Sequence, residues 1–284
     1  MPEGDTIYRA AAALRAALLG KAMRSFEAHR LSGVTPSAGS VIERVDSHGK
    51  HLEIGWEDGV VLHTHMRMTG SWHLYRRGEL WRKPTNLARV VIETDDWEAV
   101  CFSAPMVETY RETPTAWHPR FGRMGPDFAL AHVDVAECVG RIARFCDATT
   151  PLSDVLLDQR IACGIGNVYK CETLWMCSVD PATPIGALDA EQQMYLLDTA
   201  ARLLRSNLDR VDRETPGAQG GLAVYGRFRK PCHRCAGSIE VLRHGEQARV
   251  TYWCPGCQVR LGPPVVVLVE PRRADRWFGP PSSG

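Results

Sequence analysis

The first five residues, Met1-Pro2-Glu3-Gly4-Asp5, combine groups that could carry out covalent chemistry. Removal of Met1 would leave Pro2 with a free secondary amine, and α-amines in short peptides have a pKa of roughly 7.7–8.0. An amine that is partly uncharged at neutral pH can attack an aldehyde-like carbon and form a Schiff base. The carboxyl of Glu3 follows directly and could move protons for this nucleophile. An unreactive processed terminus beside a solvated glutamate would explain the same five residues.

Two C-x-x-C pairs near the other end of the chain predict a metal site. The pairs are Cys232-x-x-Cys235 and Cys254-x-x-Cys257, and eighteen residues separate them. This spacing is typical of four thiolates around a zinc ion in a ribbon-like hairpin. Because four thiolates leave no open coordination position, the spacing favours a structural zinc ion over a catalytic one.

Basic residues surround these cysteines. Residues 225–260 hold seven lysines or arginines and two acidic residues, whereas the whole chain has a formal net charge of only +1. A basic segment inside a neutral chain predicts contact with a polyanion. Residues 244–246 can form the tip of a hairpin whose returning strand carries Arg249, so the predicted finger could contact a DNA backbone.

Composition limits the remaining possibilities. The chain has 284 residues, of which 44% are hydrophobic, so it can bury a sizeable core and divide into two or more domains. Only four of the ten cysteines lie in paired motifs, a pattern that favours a reducing compartment over a disulfide framework. No signal peptide and no run of 18 apolar residues is visible. We therefore expect a cytoplasmic protein that does not enter membranes and is nucleoid-associated when it binds DNA.

The reactive terminus needs a rigid support, and the sequence predicts one. Residues 5–19 have apolar side chains at helical spacing, with Asp5 or Thr6 as a cap and Gly20 as an end. This amphipathic helix would hold Pro2 against the core, because a frayed terminus cannot position a nucleophile.

Residues 21–104 change to short runs rich in Val, Ile, Leu and Trp, separated by turn residues. Their regular spacing predicts an antiparallel sandwich or barrel. The predicted strands are 41–46, 51–56, 59–65, 70–75, 88–94 and 98–103. Lys50 precedes one strand, where a solvated turn lysine would also fit the pattern. Three long side chains follow another strand, Met66, Arg67 and Met68, and the methionines could equally be core residues.

A helical region follows a stretch rich in proline. Residues 105–130 contain four prolines and are predicted to form a linker, with helices to about residue 213. The predicted helices are 151–159, 168–175 and 186–209. The turn Gly164-Ile165-Gly166-Asn167 precedes the second of these, and backbone N–H groups at such a helix start can bind phosphate. A tight turn between two helices explains the same glycines.

Seven motifs occur in one order across residues 1–258, and together they carry a family resemblance. The chain resembles the formamidopyrimidine-DNA glycosylase/endonuclease VIII family, and within it the endonuclease VIII branch. The motifs are Pro2-Glu3-Gly4-Asp5-Thr6, Gly49-Lys50, the segment 62–72, Gly125-Pro126-Asp127, Asp158-Gln159 with Gly164-Ile165-Gly166-Asn167, Val224-Tyr225-Gly226-Arg227, and the four-cysteine finger ending at Gln258.

The resemblance implies an α+β multidomain fold. It implies an N-terminal catalytic β-sandwich with a flanking helix over residues 1–115, a helix–two-turn–helix domain over 128–215 and a zinc finger over 225–260. Residues 261–284 form an extension to which the family gives no role. The implied cofactor is one structural zinc ion, and the implied partner is damaged DNA bound by a monomer. Residues 259–284 could add a contact to DNA or to a protein.

The implied function is that of a bifunctional DNA glycosylase and abasic-site lyase of base excision repair. Such an enzyme removes an oxidised base through a Schiff base on its N-terminal proline and cuts the strand by β,δ-elimination. The segment Phe102-Ser103-Ala104-Pro105-Met106 lacks the Arg-x-Phe loop of the formamidopyrimidine branch, which favours oxidised pyrimidines over 8-oxoguanine as substrates.

The resemblance also implies four catalytic residues. Pro2 matches the nucleophile that attacks C1′ of the damaged nucleotide, and Glu3 matches the proton donor at the sugar. Lys50 matches the lysine that serves elimination and holds a phosphate. Arg249 matches the finger arginine that is linked to phosphate binding and to the second elimination.

Four further positions match residues that contact DNA in the family. Arg67 and Arg123 match DNA-contacting positions, and Asn167 matches an asparagine that binds phosphate. Met68 is suited to the wedge that fills the gap left by an extruded base. Extrusion itself is expected, because a glycosidic carbon cannot be reached inside the base stack.

Two other functions stay open at this point. The chain could be a catalytically silent zinc-finger DNA-binding protein, although the presence of Pro2, Glu3 and Lys50 speaks against that. It could also be a tautomerase-like enzyme that uses its terminal proline as a base, but the predicted finger and the basic segment would then have no purpose.

Overall fold

The N-terminal part of the chain consists of one helix and two antiparallel sheets. The computed structural model describes residues 2–29, 31–112, 123–244 and 249–262. Apart from a short 3-10 helix at Thr85–Leu87, the elements of this part are α1 (Gly4–Leu18), β1 (Ser25–Ala28), β2 (Ile42–His48), β3 (His51–Trp56), β4 (Val60–His65), β5 (Ser71–Arg76), β6 (Ala88–Glu93), β7 (Trp97–Phe102) and β8 (Met106–Arg111).

The two sheets form the predicted β-sandwich. Their strand orders are β1-β6-β7-β5 and β2-β3-β4-β8, and every neighbouring pair is antiparallel. Alternation along β3 shows why the sheets pack, because Leu52 and Ile54 are buried while His51 and Glu53 lie on the other face. Ile7 and Leu14 of α1 join the core between the sheets. The predicted sandwich with a flanking helix is therefore confirmed.

The predicted strands all form, and each boundary lies within two residues of its prediction. The predicted linker over 105–130 is wrong at its start, because Met106–Arg111 is strand β8 and pairs with β4. Val107 and Thr109 of this strand are buried, so its short alternation is a strand signal that the nearby prolines obscured. Strand β1 was also not predicted, since its four residues are too few for a clear pattern.

The helical domain contains four helices around a second core. They are α2 (Val135–Phe145), α3 (Leu152–Val155), α4 (Asn167–Met176) and α5 (Ala190–Arg205). Phe128, Leu174 and Leu204 are among the buried residues of this core. Helix α5 begins later than predicted, because the Asp189 side chain accepts a hydrogen bond from the backbone N–H of Gln192 and caps the helix.

The finger is a two-stranded hairpin that packs on helix α4. Its strands are β9 (Glu240–His244) and β10 (Arg249–Trp253), and they pair antiparallel. Trp175 of α4, Val224 and Ile239 share a third core with the finger. The predicted hairpin tip lies partly outside the described residues, and so does the extension from residue 263 onward. None of the helices within the described ranges is long and apolar enough to cross a membrane.

Candidate active site

The side chain of Glu3 occupies the N-terminus of helix α4. Its carboxylate accepts hydrogen bonds from the backbone N–H groups of Gly166 (2.9 Å), Val168 (2.8 Å) and Tyr169 (3.3 Å), and the residue is fully buried. The first N–H groups of a helix have no partner within the helix and attract negative charge. The chain's own carboxylate therefore uses three of the donors that could bind phosphate at this turn, and phosphate binding there stays a prediction.

Two glycines make this close approach possible. A Cβ atom on Gly166 would lie 2.4 Å from Cδ of Glu3, and a Cβ atom on Gly4 would lie 2.9 Å from Cα of Gly164. The backbone N–H of Gly4 donates to the carbonyl oxygen of Gly164 over 2.8 Å. The glycines of this turn are therefore explained by contact with the start of the chain.

A buried ion pair holds the next turn of helix α1. Arg213 donates to both carboxylate oxygens of Asp5 at 2.8 and 2.6 Å, and Arg9 lies 3.3 Å away. Burial raises the pKa of the Asp5 carboxyl, but the hydrogen bond and charge of Arg213 outweigh burial and leave this pKa below its usual value. Arg213 follows Asp5 by 208 residues, so no local spacing could have revealed the pair.

Lys50 lies beside the same turn. Its Nζ donates a hydrogen bond to the carbonyl oxygen of Ile165. Burial lowers the pKa of Lys50 to about 8, the charge of Glu3 opposes this change and the charge of Arg249 adds to it. The structure thus brings Glu3, Lys50 and Arg249 into one electrostatic environment. At pH 8 about half of the Lys50 amines are uncharged and can accept a proton.

A cleft of about 770 Å³ begins at the half-buried residue Pro2. The cationic residues Arg9, Arg213, Arg227 and Lys230 line it. Its lining also includes three apolar or aromatic residues, Val211, Leu222 and Tyr225. A cleft with this charge and these surfaces can hold a phosphate-bearing strand together with a planar base.

Asn167 connects helix α4 to the finger. Its Nδ2 donates to the carbonyl oxygen of Val250 over 2.7 Å, and its Oδ1 accepts from Nζ of Lys170 over 2.6 Å. Lys170 also donates to Oγ1 of Thr251, and both Asn167 and Lys170 are buried. The asparagine expected to bind phosphate therefore has partners within the protein, and its contact with DNA stays a prediction.

Glu172 supports a segment beside the cleft, and the sequence analysis did not identify it. This fully buried residue of helix α4 accepts hydrogen bonds from the backbone N–H groups of Ala223, Val224 and Tyr225 and from Oγ1 of Thr215. A carboxylate with four donors fixes the backbone at residues 223–225, and Tyr225 of this segment lines the cleft. No signal in the sequence pairs a helical glutamate with a loop about 50 residues later.

The positions predicted to contact DNA lie on the surface in two places. Arg67 and Met68 are exposed in the turn after β4, Met68 to 73% and Arg67 with a positive φ of 44°. Met66, two residues earlier, is buried and fills the sandwich core. Arg123 is exposed at the start of the segment that leads into the helical domain. Their roles stay predictions.

Four cysteine sulfurs lie together at the base of the finger. Cys232, Cys235, Cys254 and Cys257 place their Sγ atoms within 4.8 Å of one another, and two of the separations are 3.8 and 3.5 Å. Zinc in a tetrahedron of thiolates at about 2.3 Å requires sulfur separations of about 3.8 Å. Nε1 of Trp175 donates to Sγ of Cys232, as expected around a metal-bound thiolate. These four residues could hold one metal ion.

Comparison with known proteins places this arrangement in a family. Residues 1–106 match the formamidopyrimidine-DNA glycosylase N-terminal domain, and residues 124–215 match the formamidopyrimidine-DNA glycosylase H2TH domain. A probable endonuclease 8 2 of Streptomyces coelicolor is 38% identical over 93% of this chain and 96% of its own length. The chain belongs to the formamidopyrimidine-DNA glycosylase and endonuclease 8 family.

Further relatives agree with this assignment. The DNA-(apurinic or apyrimidinic site) lyase Nei2 of Mycolicibacterium smegmatis is 36% identical over 91% of this chain and 99% of its own length. The fold is that of Lactococcus lactis Fpg in complex with a DNA that contains N7-benzyl-Fapy-dG, with a TM-score of 0.76 at 22% identity over 90% of this chain and 99% of the other. The family resemblance found in the sequence is therefore confirmed.

Proposed function

We propose that this chain removes oxidised bases from DNA and then cuts the strand at the resulting site, with the nitrogen of Pro2 as the nucleophile. Membership in the family supports the glycosylase and lyase activities. The observation that carries the assignment of the nucleophile is the contact of Glu3 with the start of helix α4. This contact fixes the adjacent Pro2 at the end of a cationic cleft.

In the proposed first stage, a bond between Pro2 and the sugar replaces the bond between the sugar and the damaged base. The nitrogen of Pro2 bonds to C1′ while the glycosidic bond breaks, and the base leaves with the bonding electrons and takes up a proton. The carboxylate of Glu3, the next residue in the chain, accepts the proton that the Pro2 nitrogen loses on bonding to C1′. Glu3 then donates this proton to the ring oxygen as the sugar opens to the Schiff base. Arg9 and Arg227 line the same cleft and would pair with phosphates of the strand.

The proposed second stage uses the acidity that the Schiff base gives to C2′. Lys50, with a pKa of about 8, accepts the C2′ proton in its uncharged form, and the 3′ phosphate leaves. Arg249 is exposed on the first residue of β10 and interacts electrostatically with Lys50. Arg249 stabilises the phosphate that leaves in the second elimination.

We also propose that the four cysteines hold one structural zinc ion. Zinc would supply no step of the reaction, because four thiolates occupy its coordination sphere. Its effect would be to hold strand β10, and with it Arg249 and the partners of Asn167, at a fixed distance from helix α4. Among substrates we propose oxidised pyrimidines in DNA, and for the chain a monomeric state.

Borohydride trapping tests the nucleophile directly. Protein whose first residue is shown by mass spectrometry to be Pro2 should form a covalent complex with duplex DNA containing an oxidised pyrimidine. Mass mapping of that complex should place the sugar on residue 2. The variant Pro2→Gly should cut the strand at least tenfold more slowly, while Pro84→Gly, at an exposed loop proline, should match the wild type.

Absence of trapping by the processed protein would contradict the proposal, as would a sugar attached to any other residue. Strand cleavage by Pro2→Gly at the wild-type rate would support a silent DNA-binding protein whose cleavage comes from a contaminant. Trapping with oxidised purines in preference to pyrimidines would overturn the proposed substrate class and leave the nucleophile standing.

A further inference from the structure

Three side chains that have no role in the proposed reaction lie close together beside the Gly49-Lys50 turn. His48 ends strand β2, Asp127 follows the start of the helical domain, and Cys163 precedes the glycine turn before helix α4. Sγ of Cys163 lies 3.8 Å from Nε2 of His48, and Nδ1 of His48 lies 3.9 Å from Oδ2 of Asp127. One ligand atom from each residue falls within 4.8 Å of the other two.

These separations are close to those of a metal site. Zinc bonds of about 2.0–2.3 Å to sulfur, nitrogen and oxygen place neighbouring ligand atoms about 3.5 Å apart. The two short distances involve different ring nitrogens of His48, and with one nitrogen as ligand the three donor atoms lie within 4.8 Å of one another. Side-chain movements of about 1 Å would bring them to the spacing of a metal site. A thiolate, an imidazole and a carboxylate form a donor set for zinc-like ions rather than for magnesium or calcium.

The cluster also has capacity for another ligand and a route by which an ion can enter. Asp127 accepts one hydrogen bond on each oxygen, from the backbone N–H groups of Gly49 (2.8 Å) and Ala129 (2.9 Å). A carboxylate offers about four acceptor positions, so these bonds leave room for an ion. Asp127 and Cys163 are buried, but the side chain of His48 is 33% exposed.

We propose that His48, Asp127 and Cys163 form a second metal site, separate from the cysteine finger, that takes one zinc-like divalent ion. The ion replaces the thiol proton of Cys163, which is released to solvent, and the fourth position is left for a water molecule. Because His48 belongs to the β-sandwich while the other two ligands belong to the helical domain, the ion joins the two domains.

Occupation of the site would change the neighbouring Lys50. Gly49 separates His48 from Lys50, and a Cβ atom on Gly49 would lie 2.8 Å from Cβ of Cys163. An ion bound to His48 and Cys163 would hold the loop that carries Lys50 in one position, so we expect it to inhibit strand cleavage. This inhibitory effect rests on the proposed function, whereas binding of the ion does not.

Cobalt(II) provides a probe that reports sulfur ligation through its charge-transfer absorption. Full-length protein already loaded with one equivalent of zinc should take up one Co²⁺ with a thiolate-to-cobalt band and without release of zinc. Cys163→Ala should lose the band. His48→Asn should weaken Co²⁺ binding at least tenfold, and Cys101→Ala, which removes a buried thiol inside the sandwich, should bind like the wild type.

Each other result overturns the site. A band that persists in Cys163→Ala, or one that appears as zinc is released, would come from exchange in the finger. Binding that needs Cys163 but is unaffected by His48→Asn would exclude the three-residue site, and so would wild-type protein that takes up no cobalt. The inhibitory effect needs a separate measurement. Added Zn²⁺ should slow strand cleavage by the wild type but not by Cys163→Ala. If borohydride trapping failed, the proposed function and the inhibitory effect that rests on it would fall, but the proposed metal site would stand.

Discussion

The amino terminus and the finger are both held by helix α4, but through opposite arrangements. At the terminus, helix α4 donates backbone N–H groups to the carboxylate of Glu3. Toward the finger, helix α4 supplies the carboxylate itself, since Glu172 accepts backbone N–H groups from the segment 223–225. The distance between Pro2 and the finger is therefore set by one helix, and each connection can be broken separately.

Removal of Arg213 should have the largest effect, because it leaves the carboxylate of Asp5 buried with only Arg9 nearby. Arg213→Met should lower the free energy of unfolding at pH 7 by about 3–5 kcal/mol in urea denaturation. The pKa of Asp5 is below its usual value, so the ion pair stabilises the fold above about pH 4, and this stabilisation is lost as the pH falls. The difference between variant and wild type should shrink below pH 4.

The matched control is Arg210→Met. Arg210 pairs with Glu214 four residues later, and both side chains are half exposed, so the change should cost no more than about 0.5 kcal/mol. Equal effects of the two substitutions would show that the Asp5 pair does not hold the terminus.

Glu172→Gln should weaken the connection between helix α4 and the segment 223–225, which leads into the finger. An amide group brings two donors to a place where four donors already point, so we expect a loss of about 3 kcal/mol in the free energy of unfolding. DNA affinity should fall as well, because Tyr225, whose backbone N–H donates to Glu172, lines the cleft. Glu137→Gln, on an exposed helix position, should change stability by no more than about 0.5 kcal/mol. Unchanged stability of Glu172→Gln would contradict this account.

Gly166→Ala should disturb the contact between Glu3 and the start of helix α4 and leave the finger unchanged. The added methyl group would displace the carboxylate of Glu3, and a misplacement of about 1 Å can cost about 100-fold in rate. We expect trapping and strand cleavage to fall by about this factor while duplex affinity changes less than about threefold. The control is Gly140→Ala, where the added atom meets open space. A normal cleavage rate in Gly166→Ala would show that Glu3 need not occupy this helix start.

The smallest effect should be the pH dependence of elimination. The uncharged fraction of Lys50 rises as the pH passes about 8, so β-elimination from a preformed abasic site should accelerate roughly tenfold between pH 7 and pH 9. Single-turnover rates measure this step. Lys50→Arg should be slow and independent of pH over the same range, and an equally steep profile in that variant would assign the titration to another group.

The same comparison explains what the sequence could predict. The finger was predictable because its four cysteines repeat a short local spacing, and helix α1 and six strands were predictable because their apolar residues repeat at helical or strand periods. The support of the terminus was not predictable in this way. It depends on contacts such as Asp5 with Arg213 and Glu3 with Gly166, which are separated by 208 and 163 residues.

The glycine turn is the most instructive case. Gly164-Ile165-Gly166-Asn167 indicated an anion site, and an anion is indeed bound there, but it is the carboxylate of Glu3. The pattern of residues reports only that backbone donors are available. It cannot distinguish a phosphate of a ligand from a carboxylate of the same chain.

The burial of Glu3 also bears on how the protein matures. During synthesis the amino terminus emerges first, while Gly166 is added 163 residues after Glu3. At about 5–20 residues per second, the ribosome takes roughly ten to thirty seconds to make that partner. Throughout this interval Glu3 has not yet docked, so the residue before Pro2 stays accessible to an aminopeptidase until folding is complete, and the proposed role of Pro2 requires its removal.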